Sequence, residues 1–307
     1  MLMDNYISLV GLGAVGAPLA DILYKKYDKD FVLLSSKNFL PTLEDLYING
    51  NRFDPKIVHK KEQLKKRIGV VFICVKNYQI EAIADLLSKL IDDRTVIVPL
   101  QNGVYSFDYF REKFPKNVVL EGFAQGPNTS VMKNIYIYQK PGMFRIGSDF
   151  DKWKDSAKKV VEIMANAGVN SVYSDRIKYE VWKKLMLNVA GNAITALTGV
   201  DYCMFAKSPE TQYLCRKAMG EFATVAQSIG IELTNKDIED TIDYFLSFKV
   251  SKKTSMLEDV TNCRPTENGF IAGYISKLAA KKGISVPHID TLYNLVKIKE
   301  DVYLKRI

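Results

Sequence analysis

The 307 residues hold only four cysteines and two histidines. Cys74, Cys203, Cys215 and Cys263 form no CxxC pair and have no close histidine, and His59 and His288 are too few for a histidine-rich metal site. No disulfide framework, structural zinc or catalytic metal is expected, and a reducing, cytoplasmic setting follows. No apolar run reaches the roughly 18 residues that cross a bilayer, so no membrane association is expected. Met1-Leu2-Met3-Asp4-Asn5 lacks the basic start of a secretory signal. Eighteen glycines and ten prolines are too few for collagen-like or low-complexity sequence. Basic residues exceed acidic ones by eight, yet the densest basic cluster, Lys60-Lys61-Glu62-Gln63-Leu64-Lys65-Lys66-Arg67, stands alone. It reads as the solvated face of a helix, and a nucleic-acid partner is not expected. The mild positive balance suits an anionic small molecule.

What is present is an alternation of apolar runs and amphipathic stretches. Tyr6–Val10, Phe31–Leu34, Val70–Val75, Thr95–Pro99 and Val118–Leu120 read as strands. The unbroken run Val70-Val71-Phe72-Ile73-Cys74-Val75 suits a strand covered on both faces of a parallel sheet. Leu19 to Tyr27, Ile80 to Leu90 and Tyr105 to Phe114 read as helices between them. This order predicts an α/β, doubly wound, mostly parallel sheet. Ile135–Tyr138 and Met143–Ile146, separated by Lys140-Pro141-Gly142, carry a hairpin signal. From about Ile177 onward the pattern is helical throughout. Two domains are expected, 1–172 and 173–307.

Gly11-Leu12-Gly13-Ala14-Val15-Gly16 stands directly after a strand and opens a helix. In GxGxxG the first glycine permits the tight turn and the second admits a pyrophosphate against the backbone. The third lets helix and strand pack closely. The free N–H groups and positive dipole end of the helix then face the phosphates. After the second strand comes Ser35-Ser36-Lys37-Asn38, with no carboxylate before Glu44. An NAD site wants an acid there; Ser36 and Lys37 suit a 2′-phosphate, so NADPH is the expected cofactor, unless Lys37 is an ordinary surface lysine. Lys76 and Gln101-Asn102-Gly103 also follow strand ends and point to the same crevice. Lys76 suits a phosphate, a ribose hydroxyl or a substrate anion. Asn102 suits the nicotinamide side. Both also fit ordinary turns.

In Trp182-Lys183-Lys184-Leu185-Met186-Leu187-Asn188-Val189-Ala190-Gly191-Asn192, the residues Lys184, Asn188 and Asn192 recur every four positions. They form one polar stripe on an otherwise apolar helix, facing either a lined cavity or water. Further on, Ser255 and Asp259 share a helical face, Arg264-Pro265 breaks the helix, and Thr266-Glu267 begins another with Thr266 as cap. Ser255 can donate to a substrate carboxylate. Glu267 can pair with Lys184, or serve as a first-turn acid.

Taken together, the glycine motif, Cys74-Val75-Lys76, Gln101-Asn102-Gly103, Trp182–Leu185 with Asn188 and Asn192, and Ser255–Asp259 with Arg264–Glu267 are specific in order and spacing. The chain resembles the ketopantoate reductases (2-dehydropantoate 2-reductases) over nearly its full length. The resemblance implies an N-terminal Rossmann domain and a helical C-terminal domain similar to that of 6-phosphogluconate dehydrogenase, with the cleft between them. It implies NADPH-dependent reduction of ketopantoate to pantoate, on the way to pantothenate and coenzyme A. By position, Lys184 resembles the proton donor and Glu267 its acid partner, itself counted among the cofactor contacts. Asn188, Asn192, Ser255 and Asn102 resemble substrate-binding residues. Gly11 to Gly16, Ser36, Lys37, Lys76 and Asn102 fall at cofactor-binding positions. Lys37 stands where the family usually carries arginine, and a lysine lacks arginine's bidentate fork, which implies weaker NADPH selectivity. A homodimer is expected from the likeness. The alternatives are a related NADP-dependent 2-keto or hydroxy acid dehydrogenase with another substrate, and a non-catalytic NADPH-binding regulator.

Overall fold

Strand β1 (Tyr6–Val10) shows why the first half folds as it does. Ile7 and Leu9 enter one hydrophobic core, Tyr6 and Val10 another, so both faces of the strand are apolar and buried. The computed structural model describes residues 5–35, 46–132 and 134–307. The chain divides into two compact units, residues 1–178 and 179–307.

In the first unit, β2 (Phe31–Leu34), β3 (Tyr47–Ile48), β4 (Asn51–Arg52), β5 (Lys56–Val58), β6 (Ile68–Ile73), β7 (Val96–Pro99) and β8 (Val118–Val119) follow β1. Six of these strands make one sheet in the order β5-β2-β1-β6-β7-β8, with every pairing parallel. Chain order reverses at β1, which opens a crevice between the carboxyl ends of β1 and β6. Helix α1 (Gly16–Tyr27) packs on one core, α2 (Ile80–Leu90) and α3 (Tyr105–Lys113) on the other. Each buried Val, Leu or Ile adds roughly 1.5–3 kcal/mol. The one polar inward residue of β1, Ser8, is satisfied by donating to the Val70 carbonyl at 2.9 Å.

Two smaller sheets follow, built from β9 (Glu121–Gln125), β10 (Asn128–Met132), β11 (Ile135–Lys140), β12 (Met143–Gly147) and, after α4 (Lys154–Asn166), β13 (Ser171–Ser174). Their orders are β10-β11-β3-β4 and β13-β12-β9. The hairpin expected between 135–138 and 143–146 does not form: β11 pairs with β10, and β12 with β9 and β13. The Lys140-Pro141-Gly142 step is a corner between sheets. Gly142 takes φ +88, and a Cβ there would lie 3.0 Å from the Gln125 carbonyl oxygen.

The basic segment 60–67 is not a helix face either. Only a short 3-10 turn, Lys61–Gln63, forms there. The segment is the crossover from edge strand β5 to β6, past β2 and β1, and its last two cations pair at the start of β6: Lys66 with Asp30 at 2.6 Å and Arg67 with Asp92 at 3.2 Å.

The second unit is helical. Helix α5 (Ile177–Leu187) runs through a π turn, Asn188–Asn192, into α6 (Ala193–Thr198). Around them lie α7 (Tyr202–Phe205), α8 (Pro209–Gln227), α9 (Asn235–Leu246), α10 (Ser255–Thr261), α11 (Ala272–Lys282) and α12 (Pro287–Tyr303). The starts carry the expected signals: Ser208 caps α8 ahead of Pro209, Thr234 forms a capping box on α9, and Thr254 caps α10. Gly191 is needed where it stands, because a Cβ there would run into the Phe245 ring of α9.

Candidate active site

The glycine loop shows each of its glycines in use. Gly11 takes φ +95, and a Cβ would come within 2.6 Å of Val75 N. At Gly16 a Cβ would strike the Gly11 carbonyl oxygen. At Gly13 a Cβ would meet nothing within 4 Å among the described residues, which leave the space in front of this backbone open. Two glycines are therefore explained by the protein's own packing. Gly13 has no such packing reason among the described residues, and its open backbone fits the close approach of a pyrophosphate. Val15 at the start of α1 makes no side-chain cap, and the first turn carries no acid, so the helix dipole there is left for an anion. Leu12 and Val15 anchor the loop by packing on the core.

The loop is also strapped from the second sheet, which sequence reasoning missed. The Thr129 hydroxyl donates to the Ala14 carbonyl at 2.8 Å, and the Tyr136 hydroxyl to the Leu12 carbonyl at 3.2 Å. Occupying the carbonyls turns the loop's hydrogen-bonding surface toward its N–H groups. Tyr138 reaches the buried Asp21 of α1 at 2.7 Å. Nothing local signals these bonds, since the partners are over 100 residues apart.

The loops after β6 and β7 meet at the same sheet edge. Lys76 precedes a 3-10 turn, Asn77–Gln79. Buried Asn77 donates from Nδ2 to the Asn102 carbonyl at 3.0 Å, and Leu100 N donates to the Ile73 carbonyl at 3.0 Å. Lys76 and Asn102 are thus brought to one edge with Gly11 to Gly16. Ser36 and Lys37 lie outside the described residues. Their neighbour Ser35 directly follows β2 at that edge, its carbonyl 2.6 Å from His59 Nδ1.

In the second unit the adjacent lysines Lys183 and Lys184 take different roles. Lys183 points to α9, binding Asp237 at 2.8 Å and Asp240 at 3.2 Å. Burial raises the Asp237 carboxyl, but the hydrogen bonds from Lys183 and Tyr179 outweigh it and hold the group well below the usual range. Lys183 is a structural stitch. Lys184 is different. Loss of hydration draws its ammonium down to about 8, opposed by the pull of the Glu267 carboxylate. Glu267 is itself buried. It precedes a 3-10 turn, Asn268–Phe270, so the α-helix expected from Thr266-Glu267 starts later, at Ala272. Thr266 is not the cap expected of it: Glu267 stands at the N-cap of the turn and Ile271 at that of the helix, while the Thr266 hydroxyl accepts from Asn268 N at 3.3 Å.

Asn188 and Asn192 are buried on the π turn. Asn192 Nδ2 donates to Asn188 Oδ1 at 3.4 Å, which orients the Asn188 amide. Asn188 Nδ2 is left buried and without a partner among the described residues. A buried donor with no acceptor is costly unless a ligand supplies one. The π turn itself, a form frequent at functional sites, was not legible in the spacing. Helix α10 packs on this turn, and Ser255 is its exposed first residue. Thr254 just before it shares a hydroxyl contact with Thr195 of α6 at 2.8 Å. Asp259 does not join Ser255: it is buried and bonded to Arg264 at 3.1 Å.

Among the described residues no helix is long and apolar enough to cross a membrane. Comparison with known proteins agrees with the two-part layout. The family model described as ketopantoate reductase PanE/ApbA matches residues 7–148, and that of its C-terminal part matches residues 176–300. A 2-dehydropantoate 2-reductase of Archaeoglobus fulgidus is 25% identical over 95% of this chain and 96% of its own. Among solved structures, a D-mandelate dehydrogenase in complex with NADH has a TM-score of 0.86 at 23% identity, covering 97% of this chain and 99% of its own. A dimeric ketopantoate reductase from Staphylococcus aureus has a TM-score of 0.78 at 20% identity, with the same coverage. These structural likenesses carry the fold. The glycine loop at the start of one unit and the Lys184 helix at the start of the other fall inside the two matched regions, and the chain belongs to the ketopantoate reductase family.

Proposed function

We propose that the chain is an NADPH-dependent reductase of a 2-keto acid, with ketopantoate as substrate and pantoate as product, serving pantothenate and coenzyme A synthesis in the cytoplasm. The observation that carries this reading is Lys184, a lysine brought to about 8 beside the buried Glu267. An ammonium in that range gives up a proton readily near neutral pH, as a general acid requires.

Residues 1–172 serve the dinucleotide. Gly11, Leu12, Gly13, Ala14, Val15 and Gly16 hold the pyrophosphate, Ser36 and Lys37 the 2′-phosphate, and Lys76 and Asn102 the part nearer the nicotinamide. When bound, the reduced nicotinamide supplies a hydride. Residues 173–307 serve the substrate. Lys184 stabilises the charge that grows on the C2 oxygen and then protonates it. Glu267 keeps the amine cationic and in place. Asn188 Nδ2, a buried donor without a partner among the described residues, binds a substrate oxygen, with Asn192 orienting it. Ser255, an exposed hydroxyl at the first turn of α10, donates to the substrate carboxylate. A homodimer is proposed from the dimeric relative.

NADPH oxidation followed with ketopantoate, 2-ketoisovalerate and benzoylformate tests the reading, with NADH as the cofactor control. Ketopantoate with NADPH is expected to give the highest kcat/KM. The likeness to D-mandelate dehydrogenase favours one alternative: preference for benzoylformate keeps the chemistry and replaces the substrate. No turnover with any keto acid, despite NADPH binding, leaves the regulator reading instead.

A further inference from the structure

Gln101 is held between two fixed points. Leu100 on one side donates its N–H to Ile73, and Asn102 on the other accepts from Asn77, each at 3.0 Å. The loop after β7 is thereby tied at one end to the last residue of β6 and at the other to the loop that follows it, whose Cys74 and Val75 wall Gly11. Gln101 is only 6% exposed, and neither its Oε1 nor its Nε2 has a hydrogen-bond partner among the described residues. Such a buried amide lacks a donor's and an acceptor's partner at once, a state native proteins seldom tolerate. Pinned on both sides, it is poorly placed to swing out to water.

We propose that Gln101 recognises the carboxamide of the nicotinamide ring, Oε1 accepting its N–H while Nε2 donates to its C=O, and so determines which way round the ring lies. A primary amide presents one donor and one acceptor side by side, the complement of a glutamine side chain. A phosphate or carboxylate offers only acceptors and leaves Oε1 unpaired. The strand end that carries Gln101 borders the crevice where dinucleotides bind in sheets of this order. The assignment rests on the dinucleotide-binding reading of the first unit.

The test uses the full chain, wild type and Gln101→Leu, which removes both polar atoms at similar volume. Each is titrated with NADPH, with its 3-acetylpyridine counterpart, which keeps the C=O and lacks the N–H, and with adenosine 2′,5′-bisphosphate, which lacks the ring. Wild type is expected to bind NADPH about tenfold more tightly than the acetylpyridine form. Gln101→Leu is expected to bind the two alike, to lose about tenfold or more for NADPH, and to hold the bisphosphate within about twofold of wild type. Gln101→Glu, which keeps an acceptor but not the amide donor, is expected to lose NADPH affinity as well. Retained preference for the carboxamide in Gln101→Leu overturns the proposal. So does a gain in its thermal stability with unchanged NADPH binding, which marks an amide bridged only by solvent. Wild type that binds none of the three probes overturns the dinucleotide reading itself, whereas wild type that binds NADPH regardless of Gln101 overturns this inference alone.

Discussion

Lys184 and Lys183 are neighbours in sequence with opposite surroundings, and the contrast is testable. Lys183 faces two carboxylates across α9, while Lys184 loses hydration beside one. Lys184→Met is expected to lower kcat by orders of magnitude while NADPH still binds. Lys183→Met is expected to leave kcat within a few-fold but to cost roughly 1–3 kcal/mol, because Asp237 stays buried without its cation. Denaturant unfolding and steady-state kinetics on both separate the roles. The reduction should also slow as pH rises through about 8, where the Lys184 ammonium loses its proton. A second buried group, outside this chemistry, should show in stability. Burial, and after it the Asp149 charge, pushes Glu121 up to about 8. The unfolded carboxyl titrates near 4.3. Between these values the folded state holds the extra proton, so stability falls as pH rises, by up to ~1.4 kcal/mol per pH unit. Glu121→Gln should flatten that slope, read from urea unfolding between pH 5 and 8. An unchanged slope would remove Glu121 from the account.

Among elements, the glycine loop separates folding from binding within six residues. Gly16→Ala forces a Cβ into the Gly11 carbonyl and should destabilise the chain by roughly 2–4 kcal/mol. Gly13→Ala meets open space among the described residues, so its melting temperature should stay near wild type. Its dinucleotide affinity should nevertheless fall about tenfold or more, because the methyl stands where the pyrophosphate comes closest. Loss of stability at Gly13, or none at Gly16, would contradict this division. The Lys184 helix shows a similar economy. Its π turn carries both asparagines, and Gly191 within it lets Phe245 close the other side. Thr195 donates to the Asn192 carbonyl at 3.0 Å and meets Thr254, so the turn and the start of α10 are held as one piece.

For the molecule as a whole, ligand linkage offers a check that needs no substrate. A ligand that binds only the folded chain stabilises it by about 2.7 kcal/mol at a hundred times its Kd. NADPH should therefore raise Tm by several degrees, and NADH at equal concentration by less. Equal shifts would leave the 2′-phosphate without a role and point to a dual-specificity site. The net charge of +8 fits an anionic cofactor and an anionic keto acid. That charge is not spread evenly: Lys66 and Arg67 are spent on ion pairs at the start of β6.

The residue pattern alone determined the parallel sheet, the helical second half and the phosphate loop. Each depends on short-range periodicity: apolar runs for strands buried on both faces, GxGxxG at a strand-to-helix turn, and Lys184, Asn188 and Asn192 four apart on one helix. Periodicity says which face a residue takes; it does not name what that face meets. Tertiary structure decided that β11 pairs with β10 rather than β12, and that the basic segment 60–67 is a connection rather than a helix. It also separated Lys183, bonded to Asp237 54 residues away, from Lys184 beside Glu267. The stranded amides of Gln101 and Asn188 belong to the same class, since hydrogen bonding and desolvation are settled by neighbours that only the folded chain brings near.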